Sequence, residues 1–406
     1  MTMPLESVRV IDWTIYQQGP VATSMLGDLG ADVIKVEERG VGDPGRGMTR
    51  TFGMSTALAG GRNYYFETNN RNKKSIALDL KTERGREVMY RLVENADVFV
   101  HNFRQGVPER LGLGYDTLSQ HNPKLIYAVA SGYGPNGDEA NRPSIDPVGV
   151  ARTGLMENVS APGAEAPTYP QGGLADQMGA VMLSYGVLAA LMARQLHGVG
   201  QKIDCSHLAS VTWLQGLAVN CYLMLGKEMP RYDRSRAGNP ISNYYQCADG
   251  KWLFIALMQP DRYWPDFCQA IGLPEMRDDS RFNTTEARTQ NKAALIALLN
   301  EVFSTRTTQE WVAILKDFPD FIFETINRVS DLDKDPQFLA NDYIVEVPHP
   351  DTGKLKMVGI PVKFSDTPGQ IRMPAPQLGQ HTEEVLTDIC GFSWEEVGEL
   401  AEQEVI

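Results

Sequence analysis

Short β-branched runs alternate with amphipathic stretches through the first half of the chain. Val8-Arg9-Val10-Ile11-Asp12 reads as a strand, Gln17-Gln18-Gly19-Pro20 as a turn, and residues 21–29 as a helix. Asp32-Val33-Ile34-Lys35-Val36-Glu37 is a second apolar strand. Strand, helix and strand in that order predict parallel pairing. The rhythm recurs as a helix over 82–95, a strand over 97–100, a helix over 115–120 and a strand over 125–129. Residues 1–200 therefore read as an open, doubly wound, Rossmann-like α/β domain.

The pattern then changes. Residues 176–196 form a long apolar helix rich in small residues, closed by Gly198 and Gly200, and a second apolar helix spans 208–225. Polar residues 231–240 read as a linker. Asp249-Gly250 between two apolar runs predicts a hairpin, and helical patterns over 263–271, 292–304 and 308–316 complete a small α+β domain. From Gly359 the pattern predicts a strand, then a Pro-rich stretch and a final helix from Ser393.

Composition narrows the function classes. The 406 residues carry 38 Lys and Arg against 51 Asp and Glu, a net charge of −13. That excess of acid argues against nucleic-acid binding. No uninterrupted apolar run approaches the roughly 18 residues of a membrane span, so no membrane partner is expected. No secretory leader is visible at the start. Five dispersed cysteines without a CxxC pair, and six scattered histidines, suggest neither zinc nor disulfides. A cytoplasmic, metal-free protein is the expectation. The first turn lacks GxGxxG, so no nucleotide redox cofactor is expected, although Glu37 stands where a ribose-binding acid would sit. No P-loop or GxSxG elbow occurs.

Three segments combine turns with reactive groups. The first is the loop 14–20, at the carboxyl end of a strand, where open α/β sheets bind ligands. The second is basic and amide-rich: Arg71, Asn72, Lys73 and Lys74, with Asn102, Phe103 and Arg104 past another strand end. These read either as phosphate-binding groups or as solvated surface. The third is Gln171-Gly172-Gly173-Leu174-Ala175-Asp176, where Asp176 reads as a helix cap or as a carboxylate nucleophile. Cys205-Ser206-His207 offers a thiol–imidazole pair with no evident carboxylate to orient the imidazole. His381 reads as a structural residue at a helix start.

Together these stretches resemble the class III coenzyme A transferases, the formyl-CoA and carnitine CoA transferase family. The resemblance runs from Val10-Ile11-Asp12 and Gly19-Pro20 through residues 27–37, 72–80, 102–106, 109–115, 122–127 and 131–134 to 363–365 and 374–382. It implies a large α/β domain built from both chain ends (1–225 and 331–406), a small α+β domain (226–330) and an interlocked dimer. It implies that Asp176 is the catalytic carboxylate and Gln17 an active-site amide. Coenzyme A, as a substrate and product thioester, would be held by Arg71, Asn72, Lys73, Lys74, Asn102, Phe103, Arg104 and Tyr133.

The implied reaction moves CoA from a donor acyl-CoA, with succinyl-CoA a candidate, to an organic acid. It proceeds through an aspartyl anhydride and an aspartyl-CoA thioester. Tyr16 and Tyr64-Tyr65-Phe66 read either as acyl-pocket lining, suiting a bulky acid or a substituted succinate over formate, or as ordinary core. Two departures matter. Ser235-Arg236-Ala237-Gly238-Asn239-Pro240 has one glycine where the formyl-CoA branch has a glycine-rich loop. Ser144-Ile145-Asp146 lacks the His of the related α-methylacyl-CoA racemases. A racemase-like enzyme, or a non-catalytic subunit in a hetero-oligomer, are the alternatives to a homodimeric transferase.

Overall fold

The computed structural model describes residues 2–406. Its contacts divide the chain into two units. One comprises Met1–Val159, Pro167–Met229 and Pro336–Ile406, and the other Ser160–Ala166 and Pro230–Asp335. The larger unit is thus built from both ends of the chain.

The central sheet of the larger unit has six strands: β1 (Arg9–Trp13), β2 (Asp32–Glu37), β3 (Lys73–Ala77), β4 (Val98–His101), β5 (Ile126–Ser131) and β6 (Gln201–Ser206). Every pairing is parallel and the spatial order is β3-β2-β1-β4-β5-β6. The order reverses between β1 and β4, and the carboxyl ends of those strands open a crevice. Near-continuous Val and Ile runs fit a sheet covered on both faces. Ile11, Ile34, Ile76 and Phe99 pack one face against the helix Glu83–Glu94 and the C-terminal helices. Val10, Val33, Val98 and Ile126 pack the other against α1 (Gln18–Asp28) and α2 (Leu174–His197). Small residues let those two helices meet. The Ser184 hydroxyl donates to the Ala22 carbonyl at 3.2 Å.

Several expectations change. β3 was read as a basic cluster, and its backbone pairs with β2. The apolar stretch over 208–225 is two helices, α3 (His207–Leu214) and α4 (Gly216–Leu225), bent by 80° at Gln215. α2 does reach the length and mean hydropathy of a membrane span, which a search for unbroken apolar runs passes over. Its inner face, including Leu183 and Val187, is core of the larger unit. The strand expected after Gly359 is absent; the hairpin lies earlier, at Ile344–His349 and Gly353–Val358.

In the smaller unit, Ser242–Gln246, Trp252–Ala256 and Phe323–Ile326 form an antiparallel sheet around the Asp249-Gly250 turn. Residues 231–240, expected as a linker, contain a 3-10 turn at Arg234–Arg236. Arg234 donates to Asn300 Oδ1 at 2.6 Å, which fixes that turn.

Candidate active site

The crevice at the β1–β4 reversal is a cavity of about 1120 Å³. Gln17, Asn102, Arg104, Asp146, Asp176 and His207 all reach its wall. The loop after β1 carries Gln17. The Asn102 side chain bridges this loop to β4 by accepting from Ile15 N at 2.9 Å and donating to Ile15 O at 2.7 Å. Gly19 allows the chain to turn into α1, because a Cβ there would stand 2.6 Å from Thr14 Cγ2.

A buried ion network anchors this loop. Lys35 donates to the Thr14 carbonyl at 2.8 Å and pairs with Asp43 at 2.9 Å. Asp43 Oδ1 accepts from Tyr16 N at 3.0 Å, supporting a positive φ of 63° at Tyr16. Lys73 pairs with Asp12 at 2.8 Å, both fully buried. Burial alone would push the Asp12 carboxyl up, but Lys73 and Lys35 hold it down at about 2. Burial brings Lys73 down to about 8 against the attraction of Asp12.

Asp176 stands in the first turn of α2. Gly173, at φ 70°, precedes the helix, and the Gln17 amide lies against it: a Cβ on Gly173 would meet Gln17 Nε2 at 2.7 Å. Asp176 does not cap its own helix. That role falls to Asp146, whose Oδ1 accepts from Ala175 N at 2.6 Å and Asp176 N at 3.2 Å. Tyr169 donates to Asp146 Oδ2 at 3.0 Å, and burial plus that bond push its hydroxyl up to about 12. Asp176 Oδ1 meets His207 Nε2 at 3.0 Å. The side chains are 17% and 6% exposed, so the carboxylate reaches the cavity while the imidazole backs it.

The expected coenzyme A residues separate into two groups. Asn102, Phe103 and Arg104 line the cavity. Phe103 packs against Trp13 in a tilted pair, with ring centroids 4.2 Å apart, and Arg104 is exposed. Arg71, Asn72, Lys73 and Lys74 do not line the cavity. Arg71 is engaged by Asp28 at 2.7 Å, and Asn72 is buried, donating to Asp28 at 2.8 Å. Lys73 has no exposed surface, and Lys74 pairs with Asp32 and Glu384. Tyr133 lies outside the cavity wall, under Arg142, and its hydroxyl has no partner. Of the aromatics, Tyr16, Tyr64 and Tyr65 line the cavity, while Phe66 is core beneath Arg46. Glu37 is bound by Arg46 and Ser75, not open to a ribose.

His207, Asp146 and Tyr169 were missed as site residues. The Cys205-Ser206-His207 segment did single out the imidazole, but paired it with the thiol. The structure parts them: Cys205 Sγ faces the Gly179 carbonyl and Ser210, and burial pushes the thiol up. The orienting carboxylate lay 31 residues upstream, brought in by the crossover from α2 to β6.

A carboxylate with a buried imidazole, in a cavity at the switch point of an open parallel sheet, fits an α/β enzyme with its site on the carboxyl edge. The family model for CoA-transferase family III matches residues 5–382, and the chain belongs to that family. It is a class III CoA-transferase. It is 33% identical to human (Homo sapiens) succinyl-CoA:glutarate CoA-transferase over 99% of this chain and 90% of that one. It is also 33% identical to the succinyl-CoA–D-citramalate CoA-transferase of Chloroflexus aurantiacus over 99% and 98%. A CAIB/BAIF family protein from Brucella suis superposes with a TM-score of 0.84 at 30% identity, covering 96% of this chain and all of that one.

Proposed function

We propose that the protein is an acyl-CoA:carboxylate CoA-transferase with succinyl-CoA as donor and a second dicarboxylate as acceptor, and that Asp176 carries the transfer covalently. The observation that carries this reading is the position of Asp176. It stands at a helix N-terminus on the cavity wall; Asp146 caps that helix, which leaves the Asp176 carboxylate to face the cavity with His207 on one of its oxygens. Attack on the thioester carbonyl gives an anhydride and CoA thiolate. Return of the thiolate to the aspartyl carbonyl releases the donor acid. The acceptor carboxylate then repeats the sequence in reverse. The Gln17 amide is assigned to the oxyanion on the acyl carbon. Arg104, exposed at the cavity, is assigned to the CoA phosphates.

The donor and acceptor classes are carried over from the human and Chloroflexus relatives, whose names pair succinyl-CoA with a dicarboxylate. Racemisation is disfavoured. Two-base inversion needs groups on opposite faces of a carbon, whereas Asp176 and His207 are joined by a hydrogen bond. The retained carboxylate disfavours a non-catalytic subunit. We also propose a homodimer working in the cytoplasm. The apolar outer face of α2, with Tyr185 and Met192, is exposed in the single chain, and α4 buries none of its residues.

The test is a panel of acceptors (glutarate, citramalate, substituted succinates and formate) with succinyl-CoA, assayed for new acyl-CoA. The expected result is transfer to a dicarboxylate, and a loss of about a thousandfold or more in Asp176→Asn. Undiminished transfer in Asp176→Asn contradicts the covalent route.

A further inference from the structure

The two oxygens of Asp176 have different neighbours. Oδ1 lies 3.0 Å from His207 Nε2, and no hydrogen bond from the described residues reaches Oδ2. A carboxylate only accepts, so Nε2 carries a proton. Nδ1 faces the Ser144 hydroxyl at 3.4 Å, which can donate to the ring's other nitrogen. The ring is buried at the first residue of α3, whose start is capped by Ser206 accepting from Ala209 N at 3.1 Å. The imidazole is thus a fixed donor aimed at one carboxylate oxygen.

Resting on the covalent reading above, we infer that His207 is the oxyanion donor for the steps that occur on the aspartyl carbon, and that it keeps Oδ1 from ever exchanging. Oδ2 attacks the donor thioester: an O–C bond forms, the C–S bond breaks, and CoA leaves as thiolate. Oδ1 becomes the carbonyl oxygen of the aspartyl half of the anhydride. The thiolate then attacks Cγ, and the electron pair moves onto Oδ1. Collapse breaks the Cγ–Oδ2 bond, and the donor acid departs with Oδ2. An acceptor carboxylate oxygen next attacks Cγ of the aspartyl thioester. Charge again develops on Oδ1 before the C–S bond breaks. Finally the thiolate attacks the acceptor acyl carbon, breaking its bond to the bridging oxygen, which stays on Asp176.

Charge therefore falls on Oδ1 in two of the four additions, beside Nε2. In the other two it falls on an acyl oxygen. His207 gains and loses no proton over the cycle. One aspartyl oxygen is replaced by an acceptor oxygen in every turnover, and the other is permanent.

The experiment uses the wild-type protein, succinyl-CoA and the fastest acceptor of the panel above with both carboxylate oxygens heavy. After many turnovers, the peptide containing Asp176 is weighed. The expected result is one heavy oxygen and no more. Two heavy oxygens mean the carboxylate turns over between cycles, which overturns the His207 inference and leaves the aspartyl route standing. Transfer with no label overturns the aspartyl route and this inference with it. His207→Ala is expected to admit the second heavy oxygen and to lower kcat about a hundredfold with little change in the KM for succinyl-CoA. His207→Gln, which keeps an N–H donor, is expected to restore single labelling and part of kcat. Wild-type kcat with single labelling in His207→Ala overturns the inference.

Discussion

At the residue scale, the site depends on charges that never meet solvent. Asp12 and Lys73 are fully buried and tie β3 to the loop that carries Gln17. Removing one member strands the other in low dielectric. Asp12→Asn is expected to cost about 3–5 kcal/mol in chemical unfolding, and Asp12→Leu with Lys73→Met far less. The pH dependence follows from the Asp12 carboxyl. Its native value near 2 lies below its ordinary 3.8, so the unfolded chain binds the extra proton between those values. Stability from this group is complete above that window and is lost as pH falls through it, about 2 kcal/mol in all. Urea unfolding at a series of acid pH values measures it. Asp176 and Gln17 were singled out by the resemblance, since each turn taken alone also read as a cap or a plain turn. The difference between Lys73 as ligand and Lys73 as core was not readable, because a lysine's surroundings depend on which strand it joins.

At the element scale, the first turn of α2 aligns the chemistry. Gly173 there holds a positive φ and gives room to the Gln17 amide. Gly173→Ala is expected to cost about 1–2 kcal/mol through the backbone alone. It also displaces the amide, so kcat falls toward that of Gln17→Ala while the KM for CoA esters changes less. Steady-state kinetics of the two variants side by side checks this. The strands β1, β2, β4 and β5 were legible from β-branched runs between helical stretches. β3 was hidden because Lys73, Lys74 and Ser75 are polar: Lys73 is buried against Asp12, Lys74 pairs with Asp32 and Glu384, and Ser75 donates to Glu37. The single helix over 208–225 was an error of period: apolar residues on every side mark no bend, and α4 buries none of its residues.

At the scale of the whole molecule, the exposed apolar surface is the feature a single chain leaves unexplained. Trp213, Leu217, Leu223 and Met224 are each at least 71% exposed. Isolated surface leucines are ordinary, but a helix with no buried residue beside another apolar face is not. Light scattering after size-exclusion chromatography is expected to give twice the 45.0 kDa chain mass, and Leu217→Lys with Met224→Lys to shift it toward one. A wild-type monomer contradicts the dimer. The return of the C-terminal residues to the larger unit came from the resemblance, since no local pattern in 336–406 says which sheet they cover.

The most direct measurement of the central claim is made on Asp176. The protein is mixed with succinyl-CoA, quenched with hydroxylamine and digested, and its peptides are weighed. A hydroxamate at Asp176 is expected, formed from the anhydride or the thioester, and none in Asp176→Asn. An unmodified Asp176 in protein that still transfers CoA would contradict that claim.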